Sequence, residues 1–412
     1  MKLKPGWRHV KLSDIAKIKS GSTPLRAEGE RYFSTAGTPW VKTLDLNNGE
    51  IISTDEKITD TALLETSCSV FPVGTVLVAM YGGFNQIGRT GLLTIPAAIN
   101  QALSGLILDR DKAEPAYILN YLNGNVKLWK KFAASSRKDP NITRDDVCGF
   151  PVLLPPLAEQ KKIAEILSTW DKAISVTEKC LTNSKRQKKA LMQQLLTGKK
   201  RLLDENGVRF SGEWKRVKLG AIADMNSGGT PKSTVEEYYG GNIPWVSISD
   251  MTSNGKWIAT TEKYLTELGL NSSSARIYPK NSVLYAMYAS IGECSIAAVN
   301  LTSSQAILGI RPKDCLNYEF LYFYLASLKE KIKLQGQQGT QSNLNAGMVK
   351  EFELDLPSIR EQQKIAAVLS AADAEISTLE NKLACLRDEK KALMQQLLTG
   401  KRRVKVDEAV AA

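Results

Sequence analysis

Residues 154–201 read LPPLAEQKKIAEILSTWDKAISVTEKCLTNSKRQKKALMQQLLTGKKR, and residues 356–403 read LPSIREQQKIAAVLSAADAEISTLENKLACLRDEKKALMQQLLTGKRR. The two align without a gap at a shift of 202, with 27 of 48 positions identical. Self-similarity at a fixed shift marks an internal repeat, so the chain is one unit written twice. Within each copy, apolar residues recur at alternating spacings of four and three. The first copy gives Ile163, Leu167, Trp170, Ile174, Leu181, Leu191 and Leu195. The second gives Ile365, Leu369, Ala372, Ile376, Leu379, Leu383, Leu386, Leu393 and Leu397. This spacing predicts two long helices with a coiled-coil seam of about five heptads. Pro156 suits a first helical turn, Ser358 with Glu361 predicts a capping box, and Gly198 and Gly400 are stop signals.

The segments in front of the helices also correspond, less closely. Trp7-Arg8-His9-Val10-Lys11-Leu12 matches Trp214-Lys215-Arg216-Val217-Lys218-Leu219, and Ser20-Gly21-Ser22-Thr23-Pro24 matches Ser227-Gly228-Gly229-Thr230-Pro231. Pro39-Trp40-Val41 matches Pro244-Trp245-Val246, and Val76–Tyr81 matches Val283–Tyr288. Gln101-Ala102 with Gly105 matches Gln305-Ala306 with Gly309. Thr75–Met80 and Ser282–Met287 have strand character, and helical patches lie near Tyr117–Phe132 and Tyr318–Lys333. The expected layout is an α+β domain over 1–153, a helix over 154–205, a second α+β domain over 206–355, a second helix over 356–403 and a tail over 404–412. Each domain of about 150 residues is an ordinary size.

Composition bounds the function. The 412 residues are 43% hydrophobic and 24% charged, enough for two domains with proper cores. No apolar run of 18 residues occurs, and the basic start Met1–Lys4 has no apolar core behind it, so a cytoplasmic location is expected. Six cysteines without a CxxC pair and a single histidine, His9, argue against disulfide frameworks and zinc sites. The cysteines are expected to be small core residues. The formal charge is +12, with residues 159–201 alone carrying 11 basic and 4 acidic side chains. A basic balance points to a polyanionic partner without identifying it.

Seam packing accounts for apolar type along the stripe, not for identity on the outer faces. Yet Lys189, Ala190, Met192, Gln193, Gln194, Thr197 and Lys199 recur unchanged as Lys391, Ala392, Met394, Gln395, Gln396, Thr399 and Lys401. A recent duplication does not explain this, because the attached domains have drifted far. The same partner docking on each helix does, and Lys189, Met192, Gln193, Lys199, Lys391, Met394, Gln395 and Lys401 are the candidate docking residues.

The domains, alike in anchors and different in loops, suit two different ligands. Their loops are rich in side chains that hydrogen-bond to base edges and phosphates. Candidate DNA-binding residues in the first domain are Ser22, Tyr81, Asn85, Gln86, Arg89, Arg137, Lys138 and Asn141. In the second they are Lys232, Tyr288, Ser290, Gln338, Thr340, Gln341 and Asn343. Gly21, Thr23-Pro24 and Gln101, with their counterparts, read as structural because both copies keep them.

Two dissimilar domains alternate with two near-identical helices. Each helix opens Leu-Pro-x-x-x-Glu-Gln-x-Lys-Ile-Ala and closes Leu-Leu-Thr-Gly-Lys. This pattern resembles the specificity subunits of type I restriction-modification systems, from Trp7 to Arg403. The resemblance implies two target recognition domains, each reading one half of a bipartite, asymmetric site in double-stranded DNA. It implies an antiparallel coiled coil with an internal pseudo-twofold, on which two modification (methyltransferase) subunits dock. Those subunits would bring S-adenosylmethionine, and restriction/translocase subunits would bring ATP and Mg.

The chain itself carries no glycine-rich cofactor loop, no Asn/Asp-Pro-Pro-aromatic site and no phosphate loop, so it is expected to be non-catalytic. The alternative is a two-domain adaptor that binds protein. An autonomous DNA-binding regulator fits less well, since it needs no twice-repeated docking surface. Helices of about 39 residues span roughly 58 Å and are expected to act as a ruler for the gap between half-sites.

Overall fold

The computed structural model describes residues 4–83, 85–134, 141–337 and 344–406. The chain forms two compact units, one of Met1–Glu178 with Asn381–Ala412 and one of Lys179–Glu380. The division falls inside both long helices, so each unit holds one α+β domain and half of each helix.

The first unit contains β1 (Ala16–Ser20), β2 (Glu50–Ile51), β3 (Val76–Ala79), β4 (Thr90–Leu93), β5 (Leu103–Leu108), helix α1 (Pro115–Gly124) and the start of α2 (Leu157–Leu195). The second contains β6 (Ala223–Ser227), β7 (Trp257–Ile258), β8 (Val283–Ala286), β9 (Cys294–Ala297), β10 (Ile307–Pro312), α3 (Tyr318–Gln337) and the start of α4 (Ile359–Leu397). The five strands stand in the order β1-β5-β3-β4-β2 in one unit and β6-β10-β8-β9-β7 in the other. All neighbours are antiparallel except the short last strand, which is parallel in both. Two domains of divergent sequence thus share the topology of this five-stranded sheet.

The alternation of strand side chains sorts the core. Val76 and Val78 face one side of the sheet, with Ile163 and Leu167 of α2 and Leu397 and Leu398 at the end of α4. Leu77 and Ala79 face the other side, with Phe71 and Leu103. In the second unit Val283 and Tyr285 lie with Ile365, Leu369, Leu195 and Leu196, while Leu284 and Ala286 lie with Tyr278. Each domain core is therefore closed by the start of one long helix and the end of the other. Full burial of each such leucine contributes about 1.5–3 kcal/mol.

This modifies the seam read from the sequence. Ile163, Leu167, Ile365 and Leu369 are fully buried against a domain. Trp170, Ile174 and Leu181 further along are only half-buried, as expected where two helices alone cover each other. Three ion pairs zip α2 to α4 and to the segment just past its end within the first unit: Arg387–Glu178 at 2.7 Å, Lys390–Asp171 at 2.5 Å and Arg403–Glu159 at 2.7 Å. Shifted by 202, the same three recur in the second as Lys185–Glu380, Lys188–Asp373 and Arg201–Glu361. One residue number rises as its partner's falls, which is antiparallel pairing.

The Glu-Gln of the opening motif holds this arrangement together. Glu159 is buried, accepts the Trp7 indole N–H at 3.0 Å and receives both Arg403 Nε and Nη2. Glu361 likewise accepts from Trp214 at 3.2 Å and from Arg201 Nε and Nη2 at 2.6 and 2.8 Å. Gln160 donates to the Lys112 and Pro155 carbonyls and accepts from the Glu114 N–H, pinning the loop before α1. Gln362 does the same with Cys315, Pro357 and Asn317. The expected capping box is consequently half made. The Glu361 N–H reaches Ser358 Oγ at 3.3 Å, but its carboxylate is spent on the arginine and tryptophan.

Gly198 and Gly400 end their helices in the left-handed region, at φ 68° and 67°. A Cβ on Gly400 would lie 3.4 Å from the Trp7 ring, and one on Gly198 3.5 Å from Trp214. The cysteines depart from expectation. Cys68 and Cys294 are buried, but Cys180, Cys315 and Cys385 are exposed. Cys180 and Cys385 lie on the solvent-facing sides of the long helices and Cys315 in a turn. Among the described residues no helix is long and apolar enough to cross a membrane.

Candidate nucleic-acid interface

The strand order sends the candidate loops to one end of each sheet. In the first unit β1 finishes, β3 finishes, β4 begins and β5 begins at the same end, because each neighbouring pair is antiparallel. Backbone bonds tie this end together: Gly21 N–H to Leu103 O at 3.1 Å, Ser22 N–H to Ile99 O at 2.9 Å and Met80 N–H to Ala102 O at 2.9 Å. The Ile142 N–H reaches Met80 O at 3.0 Å, so Asn141 joins the same end. Ser22, Tyr81, Asn85, Gln86, Arg89 and Asn141 are thus brought together although they span 120 residues of sequence.

They are not equivalent. Tyr81 and Asn85 are exposed, whereas Gln86, Arg89 and Asn141 are half-buried. Ser22 Oγ bonds Ser67 Oγ at 2.8 Å, which draws it into its own domain. The loop after Tyr81 rests on an aromatic floor. Gly88, at φ 76°, abuts Trp129, which stacks on Phe150 with ring centres 3.9 Å apart. A Cβ at Gly88 would come within 2.8 Å of the indole, so only glycine fits there.

The second unit repeats the construction. Gly228 N–H bonds Ile307 O at 3.0 Å, Met287 N–H bonds Ala306 O at 2.9 Å and Leu344 N–H bonds Met287 O at 3.1 Å. Lys232 and Tyr288 are exposed and Ser290 is half-buried. Arg137, Lys138, Gln338, Thr340, Gln341 and Asn343 lie outside the described residues.

Two expectations about shared residues divide. Gly21 and Gly228 are structural, since a Cβ on either would lie 2.2 Å from a carbonyl oxygen, and Pro24 and Pro231 are buried. Gln101 and Gln305, read as structural for the same reason, are exposed.

On the helices, Lys189 and Gln193 are exposed, as are Lys391 and Gln395, and so are Lys199 and Lys401 just past the helix ends. Met192 and Met394 are half-buried and pack against the domain cores, so their identity has an internal cause. Arg201 and Arg403 join these residues as functional positions not visible from composition, because their partners lie 160 and 244 residues away. Their recurrence at the last aligned position was the available signal.

A family model described as the type I restriction modification DNA specificity domain matches residues 4–183 and 211–386. The chain belongs to this family. The MjaIX specificity subunit of Methanocaldococcus jannaschii is 36% identical over 173 residues, which are 41% of this chain and 39% of that protein. The MjaVIII specificity subunit of the same organism is 26% identical over 97% of this chain and 93% of its own length. A crystal structure of a type I restriction-modification S subunit from M. genitalium matches 96% of this chain and 98% of that one, with a TM-score of 0.61 at 16% identity. The likeness to that structure shows the shared specificity-subunit fold.

Proposed function

We propose that the chain is a DNA-reading specificity subunit in which each domain recognises one half of a bipartite site. The observation that carries this is the convergence of the candidate loops on one sheet end, in two domains with one topology and different loops. Modification subunits, two by the symmetry of the helices, dock on the exposed identical residues of α2 and α4. They bring S-adenosylmethionine and the methylation chemistry, and restriction/translocase subunits bring ATP and Mg. The chain itself contributes no catalytic group, and the complex acts on DNA in the cytoplasm.

A salt titration tests the DNA reading. Phosphate contacts release condensed counterions, so log affinity for duplex DNA is expected to fall linearly with log salt. Absence of duplex binding at low salt would favour the protein-binding adaptor instead.

The helices set the spacer in this reading. Seven residues inserted into both helices, between 181 and 188 and between 383 and 390, keep the heptad register and add roughly 10 Å of helix. The expected product is the same two half-sites methylated at a longer spacing. Methylation at the original spacing by the folded variant would refute the ruler.

A further inference from the structure

The register of the central sheet pairs residues that the recognition loops do not explain. Ala79 stands opposite Leu103, and the Met80 N–H bonds Ala102 O at 2.9 Å. One further step sets Tyr81 opposite Gln101. In the second unit Ala286 stands opposite Ile307 and the Met287 N–H bonds Ala306 O at 2.9 Å, which sets Tyr288 opposite Gln305. In the second unit the threonine of the shared Gly-x-Thr-Pro lies beside this pair, where the Gln305 N–H reaches Thr230 Oγ1 at 3.4 Å. Thr23, Gln101 and Tyr81 thus correspond, residue for residue, to Thr230, Gln305 and Tyr288.

Packing does not account for the identity. Tyr81 is 42% and Tyr288 39% exposed, and both glutamines are exposed. No hydrogen bond joins either tyrosine hydroxyl or either glutamine amide to another described residue. Turn chemistry does not account for it either, since glutamine and tyrosine are not the residues that tight turns select. The backbone after each tyrosine enters the left-handed region, at Gly82 with φ 116° and at Ala289 with φ 57°. An alanine there is disfavoured and is retained against that cost.

Two domains that read different half-sites share one feature of their ligand, the sugar–phosphate backbone. Phenol, carboxamide and threonine hydroxyl are neutral hydrogen-bond donors suited to phosphate oxygens, and such contacts fix position without carrying sequence. We infer that Thr23, Tyr81 and Gln101, and their counterparts Thr230, Tyr288 and Gln305, form a sequence-neutral contact to the DNA backbone that seats each domain in register. This rests on the DNA-reading proposal.

The test uses the full chain carrying Tyr81→Phe with Gln101→Ala, and separately Tyr288→Phe with Gln305→Ala, against two probes. One is a duplex bearing the methylated site identified by sequencing; the other is a scrambled duplex of equal length. Each double variant is expected to lose roughly 5–150-fold in affinity for both probes alike, from two hydrogen bonds of ordinary strength. The slope of log affinity against log salt should stay unchanged, because no cation has been removed. Unchanged affinity for both probes, or a loss confined to the specific duplex with a new base preference, would overturn the inference while leaving the DNA reading intact. If the unsubstituted chain binds neither duplex, the DNA reading fails and this contact with it.

Discussion

Replacing Arg201 by alanine is expected to destabilise the second unit by about 3–5 kcal/mol, the cost of stranding a buried carboxylate. Glu361 is 1% exposed, and Arg201 grips both its oxygens. Without the guanidinium, the carboxylate keeps only the Trp214 indole donor. The Gly212 carbonyl, held by Arg201 Nη2 at 2.8 Å, loses its partner as well. Arg201→Lys restores the charge but not the two-pronged geometry and is expected to fall between wild type and alanine. Arg403→Ala should cost less, because the Arg403 side chain is 41% exposed against 21% for Arg201, and water replaces it more readily. Denaturant unfolding followed by hydrogen exchange in Leu191–Leu195 measures the effect where it arises. A loss under about 1 kcal/mol for Arg201→Ala would contradict the assigned role of the buried pair.

The second large effect concerns assembly. Lys189 and Lys199 recur as Lys391 and Lys401, are exposed, and make no ion pair with another described residue. Reversing both charges of one copy, Lys189→Glu on α2 with Lys199→Glu just past its end, is expected to weaken docking of one modification subunit by on the order of 100-fold. Stability should not change, since these side chains hold nothing inside the protein. Native mass spectrometry of the co-expressed complex should show one modification subunit lost. The matching change at Lys391 and Lys401 should remove the other, and all four together should remove both. Retention of both subunits by the four-fold variant would refute docking on these faces.

Much of the architecture could be read from the repeat. Long apolar periodicity and a gapless internal match determine helices reliably, and both helices occupy 39 residues. The β3 and β8 strands announced themselves as short apolar runs. What stayed hidden was everything that depends on distant partners. Glu361 looked like a capping residue because Ser358 stands three positions before it; its true partner, Arg201, lies just past the end of the other helix. Met192 looked outward because the helix face cannot be assigned until the domain beneath it is known. The parallel edge strands, two residues each, carry too little pattern to be seen in sequence. The recognition loops were located by composition, but which of their residues face outward depends on contacts such as Ser22 with Ser67, 45 positions apart.

Exchange of one domain tests the central claim most directly. Residues 1–153 are replaced by the corresponding domain of a relative that keeps a tryptophan at position 7, so that the Glu159–Arg403 anchor survives. The chimaera is co-expressed with the modification subunits, and methylated adenines are mapped by sequencing. Independent reading by two domains predicts a site with one half changed and the other half and the spacer unchanged. A change in both halves, or in neither, would contradict it.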